Sequence, residues 1–145
     1  MSLHLLVPQK SSFMAPRLDT VHIMLVEDDP DVREVTCDLL AEEGAQVTSF
    51  DAAEPALAAL HAPRVRFDLL FTDVVLGGPL TGFDLAAAAR ARCPGLPIVF
   101  ATGFTGPAGA VPPDLAAIAP LLLKPFRRIE LLGAIATALP RLRVA

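Results

Sequence analysis

The chain has 145 residues, 53% of them hydrophobic, and a formal net charge of −4. That length suits one domain with a full core, and the acidic balance argues against direct nucleic-acid binding, which needs a basic face. No apolar run approaches the ~18 residues of a membrane span, and the start of the chain lacks a clean secretory signal pattern. Cys37 and Cys93 stand far apart in no metal-type spacing and read as reduced packing thiols of a cytoplasmic protein.

Residues 1–20 read as a leader outside the fold, flexible or in part an expression tag. Residues 21–140 form one domain and 141–145 a tail. From Val21 strands and helices alternate. The run Val21–Val26 predicts a strand. Pro30 suits the first turn of the helix that follows, with Asp29 as its cap. Val32, Val35, Leu39 and Leu40 recur on one helical face, and Gly44 stops the helix. Ala45–Phe50 alternates as a short strand, and Asp51 is placed to cap a helix over Ala53–Ala62. Phe67–Thr72 is a continuous apolar run, as in a strand covered on both faces. Gly82 precedes a helix reaching about Arg92.

Pro97–Ala101 and Leu121–Leu123 give the fourth and fifth strands. A last helix runs from about Arg127 to Leu139, with Ile129, Leu132, Ile135, Ala136 and Leu139 on one face. Between these lies Gly103 to Pro113, with three glycines and three prolines in eleven residues. The fourth helix is therefore expected to start late, near Pro112-Pro113-Asp114, behind an irregular loop. Successive β-α units of this kind predict a parallel sheet with helices on both faces, and sites beyond the carboxyl ends of its strands.

Four strand ends are polar there. The first runs into Glu27-Asp28-Asp29, the third into Asp73, the fourth into Thr102 and the fifth into Lys124. Clustered carboxylates repel and some take up protons unless a cation joins them. Mg²⁺ favours oxygen ligands and needs only one or two carboxylates plus a carbonyl. Lys124 supplies a compact positive charge for Asp73 or a phosphoryl group, and Thr102 a hydroxyl donor. A carboxylate nucleophile, a metal, a lysine and a hydroxyl meet the needs of phosphoryl transfer to Asp73. Each residue also has a plain structural role open to it: a cap for Asp29, a surface lysine for Lys124, a turn carboxylate for Asp73, a strand-end hydroxyl for Thr102.

On these residues the sequence resembles the receiver domain of two-component response regulators. The matching stretches are Val26-Glu27-Asp28-Asp29-Pro30, Thr72-Asp73, Ala101-Thr102-Gly103 and Lys124-Pro125-Phe126, within about Val21 to Leu139. The resemblance implies a flavodoxin-like, doubly wound α/β fold of five parallel strands in the order 2-1-3-4-5 with five helices. It implies that Asp73 accepts a phosphoryl group from a sensor histidine kinase or a phosphotransfer protein. It further implies Mg²⁺ on Glu27, Asp28, Asp73 and the backbone carbonyl of Val75, with Thr102 and Lys124 sensing the phosphoryl group. The output would be a changed protein-binding surface, and a homodimer is one form it can take. Ala101-Thr102-Gly103-Phe104 looks most like stand-alone or hybrid-kinase receivers.

Three departures bear on output rather than chemistry. Leu121 stands where the family often has an aromatic switch residue. The spacing from Asp73 to Gly82 is one residue longer than usual. The segment 103–113 is rich in Gly and Pro, so its reordering on phosphorylation is the expected output. Two other classes compete. A missing acceptor, lysine or acidic pair would favour an interaction module of the same fold that never uses phosphate, and none is missing. A flavin carrier wants a phosphate loop after the first strand, where Glu27-Asp28-Asp29 would repel the ligand.

Overall fold

The structure is a computed structural model and describes residues 17–103 and 119–140. Five strands form one sheet: β1 (His22–Val26), β2 (Gln46–Phe50), β3 (Leu69–Asp73), β4 (Ile98–Thr102) and β5 (Leu121–Leu123). Their order is β2-β1-β3-β4-β5, and every neighbouring pair is parallel. The expected sheet order is therefore the observed one. Four helices lie among the described residues: α1 (Pro30–Glu42), α2 (Ala53–Leu60), α3 (Gly82–Arg92) and α4 (Arg128–Ala138). The helix expected near Pro112-Pro113-Asp114, most of the loop 103–113, the leader as far as residue 16 and the tail 141–145 fall outside them.

The sheet is covered on both faces, which is why β1, β3 and β4 read as apolar runs with almost no alternation. On one face Met24, Val26, Leu70 and Phe100 pack with Leu60 of α2 and Leu85 and Ala89 of α3. On the other, Ile23, Leu25, Phe71 and Val99 pack with Leu40 of α1 and Leu131 and Ile135 of α4. Leu18 joins this second cluster fully buried, and its amide donates to the Glu43 carbonyl at 2.9 Å. The packed chain thus includes a residue that the sequence reading left in the leader.

Several local expectations shift for physical reasons. Asp29 caps α1 as expected, accepting from the amides of Asp31 and Val32. The core face of α1 is only partly the predicted one, however. Thr36 and Leu40 are buried, while Val35 is 58% exposed. Thr36 can go inward because its hydroxyl donates to the Val32 carbonyl, 2.7 Å away, so no polar group is stranded. At α2 the cap position is Ala52, and it makes no side-chain cap bond; Asp51 does not cap this helix.

β3 starts two residues later than the apolar run suggests. Phe67 stacks on the His22 ring instead, and the Asp68 carboxylate accepts the His22 amide at 2.8 Å. In α4 the inward residues are Leu131, Leu132 and Ile135, while Ile129 is exposed. No helix among the described residues is long and apolar enough to cross a membrane.

Candidate functional site

The carboxyl ends of β1, β3, β4 and β5 lie side by side, so one edge of the sheet collects the polar residues that follow each apolar run. Asp73 is the last residue of β3 and pairs with Ala101 of β4, while Thr102 pairs with Leu123 of β5. Beyond β5 the Lys124 amide donates to the Thr102 carbonyl at 2.9 Å, which fixes where the lysine leaves the sheet. A glycine sets the other wall. A Cβ at Gly82 would sit 2.0 Å from the Asp73 carbonyl oxygen, so only glycine lets α3 start against the end of β3. The Gly82 amide closes that contact by donating to the Val74 carbonyl at 2.8 Å.

The side chains converge as the strand ends predict. One carboxylate oxygen each from Glu27, Asp28 and Asp73 lies within 4.8 Å of the others. Glu27 and Asp73 are buried, and Asp28 is exposed at the mouth. The Lys124 ammonium donates to Asp73 Oδ2 at 2.9 Å and also pairs with Glu27 Oε1. Thr102 is buried at the same edge. Val75, two residues past Asp73, lies on the open rim with its side chain half exposed. Phe104 lies outside the described residues.

Electrostatics single out Glu27. Burial pushes its carboxyl up to about 7, and the Asp73 charge adds to that. Hydrogen bonds from Lys124 and from the Asp29 amide pull the other way. At Lys124 burial works against the ammonium, yet the hydrogen bonds to Glu27 and Asp73 prevail and raise its pKa. Three carboxylates crowd together here with Lys124 as the ammonium paired to two of them, so the cluster favours a further cation. The donors are all oxygens, the set that hard divalent cations take, so the residues present fit Mg²⁺.

The sequence reading missed three features here. One is the backbone contact at Gly82, signalled only by a glycine opening a helix. The second is Arg33, whose Nη1 donates to the Glu27 carbonyl at 2.8 Å. The third is a groove of about 430 Å³ along α1, lined by Val32, Val35, Leu39, Lys124, Pro125 and Phe126.

A doubly wound parallel sheet with an acidic cluster and a lysine at its carboxyl edge defines a class of signalling domains, and comparison with known proteins makes the assignment specific. The family model described as the response regulator receiver domain matches residues 23–136, and the chain belongs to that family. It is 36% identical over 113 residues to the response regulator receiver protein CpdR of Brucella abortus, covering 78% of this chain and 92% of that protein. It is 35% identical over 114 residues to the response regulator protein FleR of Pseudomonas aeruginosa, covering 79% of this chain but only 24% of FleR. The chain thus spans nearly all of one relative and about a quarter of the other. Among solved structures, a response regulator receiver protein from Sinorhizobium medicae WSM419 superposes with a TM-score of 0.72 at 26% identity, over 85% of this chain and 97% of that one.

Proposed function

We propose that the carboxyl edge of the sheet is a phosphoryl-accepting site, with Asp73 the acceptor and a sensor histidine kinase or a histidine phosphotransfer protein the donor. The observation that supports this best is the meeting of Glu27, Asp28 and Asp73 within 4.8 Å, with Lys124 on Asp73. Glu27, Asp28, Asp73 and the Val75 backbone carbonyl are the residues that would hold Mg²⁺. When bound, that ion supplies the positive charge that the carboxylates lack and shields the oxygens of an incoming phosphoryl group.

The chain's own residues do the rest. An Asp73 carboxylate oxygen attacks phosphorus; the new O–P bond forms as the donor's N–P bond breaks, and the freed imidazole takes a proton from solvent. Lys124 pairs with the phosphoryl oxygens in the place it now gives to Asp73 Oδ2. The Thr102 hydroxyl donates to one of them. Transfer of the phosphoryl group turns the singly charged Asp73 carboxylate into an acyl phosphate that carries about −1.5 to −2 units of charge at one buried strand end, and Lys124 and Thr102 pass that change to β4 and β5. The output is an altered protein-binding surface. The groove beside Lys124 supports a docking role for α1, because a donor that brings its histidine to Asp73 must cover that rim.

The test is incubation with Mg²⁺ and acetyl phosphate, read as intact mass beside Asp73→Asn. One phosphoryl adduct that needs Mg²⁺ and is absent from the variant is the expected result. No adduct, together with no Mg²⁺ binding, would leave the phosphate-independent interaction module as the reading.

A further inference from the structure

The turn that carries Glu27 and Asp28 is gripped by a residue that the phosphoryl chemistry does not use. β1 ends at Val26 and α1 starts at Pro30, so the Glu27 carbonyl has left the sheet and precedes the helix. Besides the Lys124 ammonium on its carboxylate, three hydrogen bonds hold Glu27 in this gap. Its amide donates to the Phe50 carbonyl at 3.0 Å, continuing the line of β2. Its Oε2 accepts the Asp29 amide at 3.2 Å within the turn itself. The third comes from the body of α1, where the half-buried Arg33 reaches back to the Glu27 carbonyl oxygen at 2.8 Å. A charged donor at that distance in a partly buried place makes a strong bond.

We infer that Arg33 is a positioning residue for the divalent-cation site: through the Glu27 carbonyl it locks the turn that aims the Glu27 and Asp28 carboxylates at Asp73. The inference rests on reading the acidic cluster as a cation site. It also makes a prediction whose sign is diagnostic. Arg33 is a cation close to a cluster of carboxylates, and by Coulomb's law alone its removal tightens cation binding. If Arg33 acts by position, its removal weakens binding, as loss of partners behind metal ligands does by about 10–100-fold. A residue that merely stabilises the helix lowers the melting temperature and leaves the affinity of the folded protein unchanged.

The experiment titrates the full chain with Mn²⁺ alone and follows free Mn²⁺ by electron paramagnetic resonance, since the chain has no Trp or Tyr to report by fluorescence. Arg33→Met is expected to weaken Mn²⁺ binding about tenfold or more. Arg33→Lys keeps the charge but loses the planar guanidinium that places Nη1 on the Glu27 carbonyl, and should fall a few-fold below the unaltered protein. With acetyl phosphate, Arg33→Met should need more Mg²⁺ for half-maximal phosphorylation yet approach the unaltered rate at saturation. Equal or tighter Mn²⁺ binding by a folded Arg33→Met overturns the inference. If that variant does not fold, unchanged affinity in Arg33→Lys overturns it instead. Failure of the unaltered protein to bind Mn²⁺, with Asp28→Asn no different, removes the cation site itself and the inference with it.

Discussion

Two aspartates bracket β3, and their surroundings differ in a way that separates structure from chemistry. Asp68 precedes the strand at the amino edge of the sheet, and its carboxylate accepts a backbone amide, that of His22. Asp73 ends the strand at the carboxyl edge, where its named partner is the Lys124 ammonium and its neighbours are two more carboxylates. A carboxylate bonded to the main chain is satisfied once and for all. One held by a flexible lysine among like charges can exchange that partner for a metal or a phosphoryl group. Both residues flank the apolar core of β3, but only Asp73 lies at the carboxyl end of the strand.

The largest effect expected from that contrast is at Asp73. Asp73→Asn should abolish the phosphoryl adduct entirely in the intact-mass assay while remaining folded, since the amide keeps the shape and removes one of three crowded charges. Asp68→Asn should be phosphorylated like the unaltered chain; loss of its adduct would break the distinction. Next comes Lys124→Met, which should slow phosphorylation from acetyl phosphate by about 10²–10³-fold at saturating Mg²⁺ through loss of one positioned donor. A change confined to the Mg²⁺ requirement would instead assign Lys124 to the metal site.

Third, Gly82→Ala should destabilise the fold by about 2–3 kcal/mol in urea melts, because the methyl group meets a main-chain oxygen that cannot move aside. The smallest effect sharpens the comparison at the amino edge. Asp68→Asn should cost about 1 kcal/mol, since the amide substitutes imperfectly for a carboxylate that receives a backbone N–H.

The site was largely legible in the sequence because each of its residues sits where an apolar run stops. A parallel sheet brings such stops to one edge whatever the intervening helices do. Sheet order followed for the same reason. Facing was less legible. The period of α1 offers Val32, Val35, Leu39 and Leu40 as a core stripe, yet of these only Leu40 is fully buried, and Thr36 joins it. A hydroxyl that satisfies itself on the preceding turn carries no hydrophobic signal, so periodicity could not place Thr36 inward. The start of β3 was misread where Phe67 heads the apolar run but packs on the His22 ring, and Asp68 behind it accepts the His22 amide. Arg33 left no signal either, because a bond from an arginine to a carbonyl six residues back has no pattern of residue types.

The contact at Gly82 has a further consequence for how the chain can be altered. The segment from Val75 to Thr81 leaves the sheet at Val74 and returns to it at Gly82, whose amide bonds back to Val74. It is therefore a loop with both ends fastened at one point, and its contour can lengthen outward without moving either end. The paired glycines Gly77 and Gly78 lie in this loop. For protein engineering this makes the loop a natural insertion point. Graft libraries of varied length at Gly77-Gly78 would change what can approach the acidic edge while leaving β3 undisturbed.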